Sequence, residues 1–189
     1  ADFSTVAGGI NNTASAQSAV VAGGDENTAS AMNAAVGGGI LNLASGTNST
    51  IGGGTHNTVS GDDSTICGGI GITVSGSQAT VAGGSGNTAS QMAATVSGGS
   101  SNTASEFAAT VSGGRGNIAS AWDATVGGGT SNSATGEGAI VAGGGGNTAS
   151  ALGATVSGGD CNTASGQFST VGGGGGGLWC TEGNLATDS

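Results

Sequence analysis

The sequence predicts an all-β fold, a parallel β-solenoid of the β-roll or β-helix kind, and three observations predict it. A 15-residue template, x-x-x-[AS]-T-V-x-G-G-x-x-N-T-A-S, runs in twelve copies from Ala1 to Cys180 without insertion or deletion. Val or Ile occupies one phase of every copy, from Val6 and Val21 to Val171, and a Gly-Gly pair follows two residues later, from Gly8-Gly9 to Gly173-Gly174. Asn holds a third phase in ten of the twelve copies: Asn12, Asn27, Asn42, Asn57, Asn87, Asn102, Asn117, Asn132, Asn147 and Asn162. Units this short cannot bury a core alone, so such self-similarity means that each coil stacks on its neighbours.

Each element of the coil follows from alternation. With Val6 inward, Thr5 and Ala7 face out and Ser4 and Gly8 face in; in the second half Asn12 and Ala14 point in while Thr13 and Ser15 point out. Two short strands per coil result, x-T-V-x and N-T-A-S. Gly-Gly-x-x and the variable triplet make the turns, where glycine reaches positive φ without steric cost. Stacking gives two parallel sheets across a thin interior, about 60 Å long at roughly 4.8 Å per coil. One buried Val contributes about 1.5–3 kcal/mol, whereas ordering a coil costs on the order of 1–2 kcal/mol for each residue. Backbone hydrogen bonds between coils, together with stacked Asn amides, must supply much of the balance. The solenoid is expected over residues 1–177. Residues 178–189 are expected to form a C-terminal cap and tail, because Leu178, Trp179 and Cys180 replace Thr-Ala-Ser and Gly177 replaces Asn. The first coil is already in register by Ser4, so either a preceding segment or another molecule is expected to cover that edge.

Composition removes other classes. The 44 Gly do not recur every third residue, which excludes collagen, and β-branched residues returning in strict phase argue against disorder. No 3.6-residue apolar stripe supports a helix. A net charge of -10 with Arg115 as the single basic residue argues against nucleic-acid binding and against anionic membranes. No stretch is long and apolar enough for membrane insertion. The start at Ala1 rather than Met is expected for a processed or excised form. Cys67, Cys161 and Cys180 have no metal-ligand spacing, and a Cys161–Cys180 pair is one open alternative.

No catalytic residue, metal site or cofactor site is expected from the sequence. The run Gly172 to Gly177 matches G-x-G-x-x-G only as any six-glycine run does, with no following helix. His56, Ser60 and Asp62 have the residue types of a triad, but Ser fills that phase in most coils, which reads His56 as a solvated turn residue. Asp25, Asp62, Asp63, Asp123 and Glu137 read as scattered turn charges. A non-enzymatic protein is expected.

Two outward surfaces carry more weight. Thr5, Thr50, Thr65, Thr80, Thr95, Thr110, Thr125, Thr155 and Thr170 form one ladder, interrupted by Val20, Ala35 and Ile140. The other is a candidate ice-binding face of Thr-x-Ser pairs: Thr13 and Ser15, Thr28 and Ser30, Thr58 and Ser60, Thr73 and Ser75, Thr88 and Ser90, Thr103 and Ser105, Thr148 and Ser150, Thr163 and Ser165, interrupted at Leu43 and Ile118. Two readings stand side by side: a hydroxyl grid matching an ordered surface such as ice, and Thr simply as a good exposed strand residue. The second surface is a corner. Met32, Met92, Phe107, Trp122 and Leu152 share the middle of the variable triplet, an apolar ridge that either docks a protein partner or folds over the coil edge.

Two families share these patterns. Ser4-Thr5-Val6-Ala7-Gly8 followed by Asn12-Thr13-Ala14-Ser15 resembles the head repeats of trimeric autotransporter adhesins, with a slightly longer repeat owing to the doubled Gly. That resemblance implies a left-handed parallel β-roll used for adhesion. Asn57-Thr58-Val59-Ser60-Gly61 and Thr73-Val74-Ser75-Gly76 are similar to the half-coils of the ryegrass-type ice-binding β-roll, although Ala replaces the second Val in most coils. The expected function is a rigid structural or adhesive element, extracellular or at the cell surface. It would engage a protein partner, or self-associate end-to-end or laterally, through apolar turn residues or an open coil end. The alternative is an ice-binding protein. Asn11 and Asn48 satisfy the glycosylation sequon, which a secretory route would use.

Overall fold

The computed structural model describes residues 3–175 and 183–187. These residues are all β, with no helix among them. The chain divides into two compact units, Ala1–Ala93 and Ala94–Ser189. Each is a parallel β-solenoid with two sheets, named here for the valine and asparagine columns inside them.

In the first unit the valine sheet contains Thr5–Val6, Val20–Val21, Ala35–Val36, Thr50–Ile51, Thr65–Ile66 and Thr80–Val81, each parallel to the next at a register of one repeat, as in Thr50 opposite Thr65. The asparagine sheet contains Thr13–Ala14, Thr28–Ala29, Leu43–Ala44, Thr58–Val59, Thr73–Val74 and Thr88–Ala89, paired in the same way. Strands are two residues long, shorter than the four-residue segments expected, because the turns begin as soon as one inward residue has been placed. Alternation then fixes the core. Val21, Ile51, Ile66 and Val81 are fully buried from one sheet, Ala29, Ala44, Val59, Val74 and Ala89 from the other.

Coils are joined by backbone hydrogen bonds in which each N–H reaches the carbonyl fourteen residues on, such as Thr50 N–H to Ser64 O at 3.0 Å and Gly52 N–H to Ile66 O at 2.8 Å. With so little apolar side chain per coil, this ladder is a principal source of cohesion.

The second unit repeats the arrangement. Its valine sheet runs from Thr95–Val96 through Thr110–Val111, Thr125–Val126, Ile140–Val141 and Thr155–Val156 to Thr170–Val171. Its asparagine sheet runs from Thr103–Ala104 through Ile118–Ala119, Ser133–Ala134, Thr148–Ala149 and Thr163–Ala164 to Leu185–Ala186. The last strand falls within residues 178–189, the expected cap and tail, and pairs with Thr163–Ala164 to complete a coil. Asn184 N–H donates to Asn162 Oδ1 at 2.9 Å and Asn184 Nδ2 to Gly173 O at 2.7 Å, so Asn184 takes the role assigned to the position of Gly177. The reason lies in side-chain chemistry: Asn184-Leu185-Ala186-Thr187 supplies the amide and the small inward residue, as Asn42-Leu43-Ala44-Ser45 does. Leu178 and Trp179, the predicted cap, and Cys180 lie outside the described residues.

The paired glycines divide their work. Gly143 has open space where a Cβ would go, whereas Gly144 sits at φ +91 with the position of its Cβ pressed against the carbonyl oxygen of Gly159. Only the second glycine of the pair is therefore demanded by both conformation and space. Two further turn positions take the left-handed region with ordinary side chains, for example Asn48 at φ 56 and His56 at φ 56 in the first unit, and Asp123 at φ 54 and Ser131 at φ 55 in the second.

Candidate functional site

Beneath the asparagine sheet the buried Asn column acts as a rail. Asn132 is representative: its Nδ2 donates to Gly128 O at 2.8 Å and to Gly144 O at 2.9 Å, and its Oδ1 accepts the N–H of Asn147 at 2.9 Å. One side chain thus ties its own turn to the next coil and receives the backbone of the next Asn. Asn27, Asn42, Asn117, Asn147 and Asn162 make the same set of contacts. In a thin interior, side-chain amides satisfied on both sides rigidify the backbone directly beneath the outward Thr. Ile72 interrupts the rail, yet its N–H still donates to Asn57 Oδ1 at 3.0 Å, and the side chain is fully buried.

The outer surface of this sheet carries the predicted hydroxyls. In the first unit Thr13, Thr28, Thr58, Thr73 and Thr88 stack in one column, with Leu43 filling the gap. Ser15, Ser30, Ser45, Ser60, Ser75 and Ser90 hold the flanking position, all of them half-buried or exposed. In the second unit Thr103, Thr148 and Thr163 share their column with Ile118 and Ser133, beside Ser105, Ser120, Thr135, Ser150 and Ser165. The structure therefore adds Ser45, Ser120, Ser133 and Thr135 to the predicted face. Ser45, Ser120 and Thr135 continue the last template position, which carries a hydroxyl in every coil up to Ser165, and Ser133 stands at the Thr position. Neighbouring hydroxyls lie about 4.8 Å apart between coils and about 6.6 Å along a strand. Three of these serines bond weakly to backbone oxygens, Ser45 to Val59 O at 3.3 Å, Ser75 to Ser90 O at 3.4 Å and Ser165 to Ala186 O at 3.4 Å.

The opposite face is less uniform. Its Thr column includes Val20, Ala35 and Ile140, and the flanking position mixes Ala22, Gly37, Gly52, Cys67 and Ser97. Cys67 is an exposed free thiol, whereas Cys161 is disulfide-bonded.

The predicted ridge is only partly assembled. Met32, Met92, Phe107, Trp122 and Leu152 are each at least 40% exposed. Among them Phe107 and Trp122 are in ring contact, with centroids 5.5 Å apart and planes tilted by 42°. Glu137 holds the same turn position one repeat after Trp122 and separates it from Leu152, while Met32 falls between Gln17 and Thr47. A recess of about 530 Å³ beside Trp122 is lined by Glu106, Ser120, Ala121 and Glu137.

The polar residues with catalytic residue types are occupied elsewhere or dispersed. His56 is exposed on a left-handed turn, and Ser60 belongs to the hydroxyl face. An Asp62 carboxylate oxygen accepts the N–H of Thr47 at 2.7 Å, and Asp63 accepts from Asn48 Nδ2 at 2.8 Å, so both serve the turns. Among the described residues no cluster of three His, Cys, Asp or Glu is placed to hold a metal ion, and no helix is long and apolar enough to cross a membrane. This repeat solenoid is compatible with a structural, non-enzymatic role. No protein-family model matches the chain, and no curated protein matches it either.

Proposed function

We propose that this chain is a non-enzymatic, extracellular β-solenoid that adheres to an ordered surface, ice above all, through the hydroxyl face of its asparagine sheet. The observation that carries the reading is the column of Ser or Thr at the last template position, unbroken through the described coils of each unit and parallel to a second column rich in Thr. A crystalline surface presents a periodic array of partners, and only a face with equally regular, stiffly held groups can engage many of them together. Here register comes from strand pairing and stiffness from the Asn rail. Thr suits the task because its methyl and hydroxyl are both held at χ1 by β-branching. Preorganisation of this sort lowers the ordering cost of adhesion. The disulfide at Cys161 supports an oxidising, extracellular setting.

Thermal hysteresis tests the reading. The native chain is expected to depress the freezing point below the melting point. Thr58→Tyr together with Thr148→Tyr is expected to abolish most of that gap by raising bulk above the plane of the face. Thr65→Tyr on the valine sheet should leave it intact. No hysteresis in the native chain, or equal loss from Thr65→Tyr, refutes the proposal. A second reading, adhesion to a protein partner at the turns, is favoured at one place, the Phe107–Trp122 pair.

A further inference from the structure

We infer that the recess beside Trp122 is a binding site for an arginine side chain presented by a basic protein segment, at the edge of the hydroxyl face, with which it shares Ser120. Its construction follows from three turn substitutions. Ala121 and Trp122 occupy the first and second turn positions of their coil, and Glu106 and Glu137 occupy those same two positions in the coils on either side. Ser120, Ala121 and Trp122 line it together with the two glutamates, which lie one coil to either side of Trp122. Phe107 packs against the indole at 5.5 Å between centroids, so Trp122 is braced although 58% of it is exposed.

The chemistry of the lining selects the occupant. An aromatic face attracts a cation, and carboxylates beside it add charge and hydrogen-bond acceptors. A guanidinium satisfies both at once, because it stacks flat on indole while its edge donates to carboxylates; a lysine ammonium is a point charge and does less of each. Charge complementarity points the same way: the chain carries a net charge of -10 with a single basic residue, so a basic segment is drawn toward it. A neutral sugar would also stack on Trp122, but it would leave two carboxylates with no cation to answer them.

The test uses the intact chain and a capped pentapeptide with two arginines, followed by the indole N–H resonance of Trp122, which is assigned through its absence in Trp122→Ala. Saturable binding is expected with the arginine peptide and not with its citrulline counterpart, which keeps the shape and removes the charge. Trp122→Ala should weaken binding about ten-fold, the scale of a lost cation–π contact with its packing. The double variant Glu106→Gln with Glu137→Gln, which preserves side-chain size, should weaken it comparably and flatten its salt dependence. Glu26→Gln with Asp63→Asn removes the same charge from the first unit and should leave affinity unchanged. Equal weakening by that control would mean general attraction to an acidic chain and overturn the site. So would indifference to Trp122→Ala, or binding of a β-linked glucose tetramer in place of the arginine peptide. A chain that lost thermal hysteresis as a native property but kept arginine binding would refute the ice reading and leave this site standing.

Discussion

Replacing Asn132 by alanine removes two partly buried hydrogen bonds that it donates and one buried bond that it accepts from Asn147. Each buried polar group left without its partner costs about 1–3 kcal/mol, and the summed expectation for Asn132→Ala is a loss of about 3 kcal/mol, readable in a denaturant melt. A loss under about 1 kcal/mol would mean that the Asn rail is incidental to cohesion. Ile72 shows why the rail tolerates one natural gap: an apolar side chain of sufficient volume fills the same space, and its backbone N–H still caps the amide oxygen of Asn57. Alanine offers no such filling, so the two kinds of replacement differ in physical consequence.

At the scale of the coil, register is the controlling variable. Deleting residues 131–145 removes one full repeat and rejoins Thr130 to Gly146 in phase, so cooperative melting should persist. Inserting a single alanine between Ser133 and Ala134 exchanges inside and outside for the rest of that strand. It is expected to cost more than about 4 kcal/mol or to prevent folding of the second unit. Equal stability of the two variants would contradict the stacking. Much of this element was legible in the sequence, because a phase that is Val or Ile in every copy admits one inward position, and the Gly-Gly pair marks one turn. The left-handed turn residues were not legible: Leu41, His56, Ser131 and Cys161 share one backbone conformation and no side-chain chemistry. Nor was the last coil, where Asn184 stands 22 residues after Asn162 rather than 15 and the count misses what the motif retains. At the turns, the sequence placed five large residues at one phase, but whether such residues touch depends on their immediate neighbours. Glu137 breaks the ridge, and Phe107 with Trp122 remains.

For the molecule as a whole, the two proposed surfaces would do different work. Adhesion by the hydroxyl face would rest on repetition, each coil adding a small increment to a summed contact, and so would resist single conservative changes. Arginine binding beside Trp122 would rest on one arrangement of side chains in three coils and would fail when any of them is removed. Slow growth of ice from a dilute solution of the native chain measures the adhesion of the repeating face without reference to any partner, by the share of protein carried into the solid. Enrichment of the chain in the ice fraction, lost with Thr58→Tyr and Thr148→Tyr, is the expected result. Exclusion of the native chain into the remaining liquid, as for an ordinary solute, would contradict it.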